Sequence, residues 1–187
     1  MRYIKTTFID AFTRLPVTKT PAKTGPTLKD KYAYVLDVAE ARSTNPSVYC
    51  ATTSETDFEE WEVELTSEQF FDCVKTELKQ RASNKRKTKT DEPVLVQEVF
   101  YLPSDQEKLA TLLTVLTALK SNEKLDFYSQ GTWVKLSKTD VKDILTKLHD
   151  KTQSSFSWQK DVYDQIEEED FSKDVSASVN KFLELLG

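Results

Sequence analysis

The sequence predicts an α+β protein, with a small strand-rich N-terminal part followed by a helical C-terminal domain. Three observations carry this. Tyr32, Tyr34, Leu36 and Val38 alternate with Ala33, Val35, Asp37 and Ala39 in a segment rich in aromatic and β-branched residues, the period of a strand. Beyond Thr66 the apolar residues recur at helical spacing instead. With 38% hydrophobic and 30% charged residues in 187, the chain has a lean core and holds one domain or two small ones.

The elements follow in order. Arg2 to Ile9, Ser47 to Thr53 and Trp61 to Leu65 read as strands beside the alternating segment. Residues 15–30 hold Pro16, Pro21, Gly25 and Pro26 among Thr and Lys, the composition of an extended arm. Thr66-Ser67-Glu68-Gln69 has capping-box form and opens a helix with Phe70, Phe71, Val74 and Leu78 on one face. That helix runs into a basic segment and ends before Pro93. Val94 to Tyr101 reads as a short strand or extended crossover. Ser104-Asp105-Gln106-Glu107 reads as a second capping box, opening a helix with Leu109, Leu112, Leu113 and Leu116. Leu125 to Leu136 reads as a connector bearing Trp133. Ser137 with Asp140 caps a long helix whose stripe of Val141, Ile144, Leu145, Leu148, Phe156, Tyr163 and Ile166 runs to about Glu168. Asp170 is the expected cap of a last helix, with Phe171, Val175, Val179, Phe182, Leu183 and Leu186 on one face. The expected domains are residues 1–65, with the arm at 15–30; a basic helix and strand linker at 66–103; and a helical domain at 104–187.

Chemistry is sparse. His149 is the single histidine; beside Asp150 on a helix, it reads as structural, because no nucleophile motif builds a triad around it. One histidine and two cysteines without a paired motif argue against zinc. Cys50 and Cys73 are expected as free thiols, Cys73 within an apolar helical pattern. The glycines, Gly25, Gly131 and Gly187, are too few and too scattered for a phosphate-cradling loop. Glu59-Glu60 and Glu62-Glu64 are expected on solvated faces. Glu167-Glu168-Glu169-Asp170 lacks the spacing of a calcium loop. The reading is therefore of a protein that is not an enzyme and needs no cofactor or metal. No apolar run approaches the roughly 20 residues of a membrane span. The N-terminus shows no apolar signal core, so the expected place of synthesis and residence is the cytoplasm.

Charge is uneven. Lys75, Lys79, Arg81, Lys85, Arg86, Lys87 and Lys89 stand against Glu77 alone. Asp161, Asp164, Glu167, Glu168, Glu169, Asp170 and Asp174 stand against Lys173. Such blocks suit self-association or electrostatic docking. Clustered cations also suit phosphates. The pI near 5.1 and the lack of aromatic residues interleaved with the cluster rank nucleic acid below an acidic protein surface, and a merely solvated face above both. Trp61, Trp133 and Trp158 read as core or interface anchors. The candidate interaction residues are Trp133, Phe156, Trp158, Lys85, Arg86, Lys87 and Lys89.

One resemblance adds to this reading. The segment of about residues 70–168 has a basic helix from Lys75 to Lys87, a strand at Val96–Tyr101, then Asp105 and Gln106. Gly131, Trp133 and Leu136 follow, then a long helix with Asp140, Ile144, Leu148, His149 and Phe156. As an ordered set it resembles a phage domain of unknown function found in or beside tail-fibre and baseplate proteins. The run at 94–101 lacks the glycine usual in that domain's hairpin. No catalytic residues come with the resemblance. It implies a non-catalytic structural or adaptor protein of a bacteriophage tail, a virion component made in the host cytoplasm. Its partners would be other tail proteins and copies of itself as a homo-oligomer; from charge and hydropathy, nucleic acid ranks low as a partner and no membrane is expected. The alternatives are a tail-fibre assembly chaperone absent from the virion, and a nucleic-acid-binding protein using residues 75–89.

Overall fold

The structure is a computed structural model and describes residues 1–6, 33–37, 48–53, 62–119 and 123–187. The arm at 15–30, Trp61 and the Glu59-Glu60 pair lie outside the described residues. The expected α+β class is the one observed. Two compact units divide the chain: residues 1–82 with 162–187, and residues 83–161.

In the first unit, β1 (Arg2–Thr6), β2 (Ala33–Asp37), β3 (Val48–Thr52) and β4 (Glu62–Leu65) form an antiparallel sheet in the order β2-β3-β1-β4. The alternation expected in β2 is broken by a register shift between Tyr34 and Leu36. A bulge of this kind sets successive residues on one face, and Val35 and Leu36 are both buried. Glu64 is exposed as expected and paired with Arg2, whereas Glu62, opposite Thr6 in the ladder, is buried rather than solvated.

Helix α1 (Ser67–Asp91) opens with the expected capping box: the Thr66 N–H donates to Gln69 Oε1 at 3.0 Å and the Gln69 N–H to Thr66 Oγ1 at 3.2 Å. Within this unit α1 buries Phe70, Val74, Leu78 and Ala82, one residue per turn. Phe70 lies 4.6 Å from the Tyr3 ring and 6.0 Å from Tyr49, which joins helix to sheet. Burial and the nearby Cys73 and Glu77 push the Tyr49 hydroxyl pKa up. Cys50 and Cys73 are not joined in a disulfide.

Helix α2 (Gln106–Ala118) and most of α3 (Lys138–Glu168) belong to the second unit; the last turns of α3 and all of α4 (Val175–Leu186) belong to the first. The cap of α4 is Asp174, not Asp170: the extended Asp174 accepts from the Ala177 N–H at 2.9 Å. Asp170 instead accepts from the Ser172 N–H two residues on, closing a turn ahead of the helix. α4 buries Val175, Val179, Phe182 and Leu186, packs against β2, and stacks Phe182 on Phe171.

The second unit departs most from expectation. Val94 to Tyr101 is neither a single strand nor a crossover but a hairpin, β5 (Val94–Val96) with β6 (Val99–Tyr101). Its two-residue turn places Gln97 at φ 49° and Glu98 at φ 66°, the left-handed pair that such turns require and that glycine or asparagine usually supplies. The Trp133 connector is also a hairpin, β7 (Lys124–Ser129) with β8 (Thr132–Ser137), turned at Gln130 (φ 46°) and Gly131 (φ 83°). The proposed Ser104–Glu107 box is replaced by a 3-10 turn at Pro103–Asp105. There Asp105 accepts from the Leu102 N–H at 3.0 Å, leaving α2 without a side-chain cap. The box opening α3 forms as expected: the Ser137 N–H donates to Asp140 Oδ2 at 2.9 Å and the Asp140 N–H to Ser137 Oγ at 3.2 Å. Val96, Tyr101, Leu109, Leu116, Phe127, Leu136, Val141, Ile144 and Leu148 form this unit's core. No helix among the described residues is long and apolar enough to cross a membrane.

Candidate functional site

The β7–β8 hairpin turns two unlike faces outward and inward. Its inward face pairs Leu125 with Leu136 and Phe127 with Val134. The same register sets Tyr128 opposite Trp133 and Asp126 opposite Lys135 on the other face. Trp133 is 69% exposed and Tyr128 51%, with ring centroids 5.2 Å apart. Each ring thus covers its neighbour while most of the indole faces solvent. The adjoining β5–β6 hairpin repeats the arrangement on a smaller scale, with exposed Leu95 opposite exposed Phe100. The two hairpins are tied by Ser129. Its buried hydroxyl lies 2.8 Å from the Phe100 carbonyl and 3.0 Å from Asp105 Oδ2, one proton shared between two acceptors.

Tyr128, Leu95 and Phe100 were not singled out from sequence. Cross-strand partners become visible only once a hairpin register is known, and neither turn carries the Asn-Gly or Asp-Gly signal that announces one.

The basic segment divides in two. In the first unit Lys75 Nζ donates to the Glu167 carbonyl at 3.2 Å and to its carboxylate at 3.1 Å, and Lys79 pairs with the same carboxylate. These bonds hold the Glu167 pKa below its usual range. Part of the expected attraction between basic and acidic blocks is therefore satisfied within one chain. In the second unit the Arg86 guanidinium lies 4.5 Å over the Phe156 ring, and Lys89 Nζ 4.1 Å over the Trp158 ring. Lys87 is exposed, and Lys85 is half-buried. Phe156, expected in the buried stripe of α3, is 49% exposed; the buried positions nearby are Ser155 and Val162. The buried line runs through Leu148, Ser155 and Val162 at seven-residue intervals, and Phe156 falls one residue off it.

No protein-family model, curated protein or solved structure matches this chain. The site's chemistry thus rests on its own residues. His149 is exposed on α3. Among the described residues no group of three or more His, Cys, Asp or Glu is placed to hold a metal ion. Asp140 accepts from Ser137 and, at 3.1 Å, from Gln97 Nε2, bonds that lower its pKa and fasten the β5–β6 turn to the start of α3. In the second unit Asp105, Ser137 and Asp140 are thus bound into caps and turns. What the unit offers outward is an aromatic hairpin face and a cationic helix face.

Proposed function

We propose that the protein is a non-catalytic structural or adaptor component of a bacteriophage tail, acting through protein–protein contacts in the baseplate or fibre region. The ordered resemblance over residues 70–168 supplies the context. The observation that carries the contact role is Trp133, 69% exposed beside Tyr128. Tryptophan and tyrosine are the side chains that dominate interface energetics when a partner excludes water from them. Placing them on a short hairpin fixes their direction at small entropic cost, which favours docking onto a preformed surface. Leu95 and Phe100 extend the apolar character on the neighbouring hairpin.

Mass spectrometry of purified particles, with copy number measured against the capsid protein, tests this reading. Detection at a tail-like multiplicity supports it. Absence from particles, with the protein present in the infected-cell lysate, favours the assembly-chaperone reading, in which the same apolar pairs engage the fibre protein transiently. Trp133→Ala is expected to leave folding intact and to release the protein from particles.

A further inference from the structure

Strand β8 is an edge. Among the described residues it pairs with β7 alone, and no other backbone group bonds Trp133 or Lys135. The two-residue turn at Gln130-Gly131 makes Ser129 and Thr132 a hydrogen-bonded pair. Alternation along the ladder then gives Val134 and Leu136 their bonds to β7, and turns the N–H and C=O of Trp133, Lys135 and Ser137 away from it. Ser137 agrees: its N–H leaves the ladder for Asp140 Oδ2 at 2.9 Å. An open edge of this kind is a template for another strand, and proteins commonly blunt it with proline, a bulge or charge. β8 has no proline, its register runs unbroken, and Lys135 is its one charged side chain.

We propose that this edge pairs with the same edge of a second copy, antiparallel across a two-fold axis at Val134. The occupant follows from the strand itself. Only registers that set outward-turned backbone groups against one another can bond. A two-fold at Trp133 runs the strand into the second copy's turn at Gly131, whose φ of 83° is not extended. A two-fold at Lys135 sets like charges directly opposite, and it calls on the Ser137 N–H, which is already bonded. With the two-fold at Val134, Trp133 lies opposite Lys135 of the second copy, and Lys135 lies opposite its Trp133. Each pair exchanges both N–H···O bonds. Ammonium and indole share the outward face, where cation and ring attract. On the inward face half-buried Val134 meets its own equivalent at the rim of the core. The strand is thus complementary to itself, and Lys135, which guards the edge against unrelated strands, is matched by this one. The side chains of Tyr128 and Trp133 stay on the outward face, so the pairing goes beyond the tail-contact reading and does not rest on it.

The test is sedimentation equilibrium of the full chain alone, from about 1 to about 300 µM. An interface below the roughly 800 Å² per partner of standard complexes is expected to dissociate on the order of 10 µM. The apparent mass is expected to rise from 21.5 kDa toward that of a dimer. Lys135→Pro removes an N–H that β7 does not use, at an edge position where proline is tolerated. It is expected to keep the protein monomeric with thermal unfolding little changed, whereas Lys135→Ala, which retains the N–H, weakens pairing only severalfold. Val134→Cys is expected to give a disulfide-linked dimer on mild oxidation, because facing residues at a non-hydrogen-bonded position lie about 4.5 Å apart at Cα. Lys135→Cys, offset from its equivalent along the strand, lies beyond the roughly 7 Å that a disulfide spans and is expected to stay unlinked. The wild-type chain controls for Cys50 and Cys73. A monomer at every concentration would overturn the proposal and leave the edge to a strand of another protein. A dimer untouched by Lys135→Pro would overturn it by placing the contact elsewhere. So would linkage through Lys135→Cys and not Val134→Cys, which marks another register. Association with phage particles is measured separately, so either reading can fail without the other.

Discussion

The two ends of α1 solve the same packing problem with opposite chemistry. In the first unit Phe70, Val74, Leu78 and Ala82 occupy every fourth position and are buried. Four residues on, in the second unit, the position falls to Arg86, which lies on Phe156. An apolar seam gains stability from area removed from water, at about 25 cal/mol per Å². A cation on a ring gains less, about 0.5–1 kcal/mol where solvent reaches it. The comparison teaches that helical spacing alone does not forecast burial: the same interval continues while the side chains that fill it change from core to surface. The second unit draws its stability instead from its own apolar core around Leu109, Ile144 and Leu148 and from the Ser137–Asp140 box.

The sharpest way to break this comparison is truncation at each end. Phe70→Ala is expected to cost about 3–5 kcal/mol in denaturant unfolding, because its contacts with Tyr3 and Tyr49 leave a cavity. Arg86→Ala should cost about 1 kcal/mol, the loss of a stacked cation and its stem. Equal losses would mean that the cationic seam is as firmly buried as the apolar one. Glu98→Gly should raise stability by somewhat under about 1 kcal/mol, since glycine adopts φ 66° without the strain that Glu98 carries. A loss there would show that the turn is not limited by backbone strain.

The smallest effect is expected from the exposed pairs. The lowered pKa of Glu167 means that its contribution is present above its ordinary value of 4.5 and is lost as pH falls through the lowered folded value. Replacing both Lys75 and Lys79 by Met should flatten that acid limb of the stability curve. Added salt should do the same to the native protein, as it screens exposed pairs, while leaving the Phe70 effect unchanged.

Much of this architecture was legible in the sequence where the signal is local. The Thr66–Gln69 and Ser137–Asp140 boxes were readable because a cap couples a side chain to a backbone group three residues away. The α1 face at Phe70, Val74 and Leu78 was readable from its spacing. The hairpins were not, because Gln97-Glu98 and Gln130-Gly131 enter left-handed turns without the residue pairs that favour them. Asp170 and Asp174 compete as caps with the same chemistry, and only the extended backbone at Asp174 decides between them. Of the candidate residues, Trp133 could be named but not its partner Tyr128. The rings over Arg86 and Lys89 belong to a distant stretch of chain, and no local pattern announces such a meeting.

Trp133 also gives the molecule an optical reporter. An indole this open to water emits at long wavelength and is readily quenched by small solutes. Trp158, half-buried under the Lys89 ammonium, samples a different environment. With the other tryptophans replaced by Phe, single-indole variants would register contact at the hairpin and at the helix face as two separate colour changes. A partner that covers the hairpin would shift the Trp133 emission to shorter wavelength, whereas a ligand on the helix face would leave that band where it is.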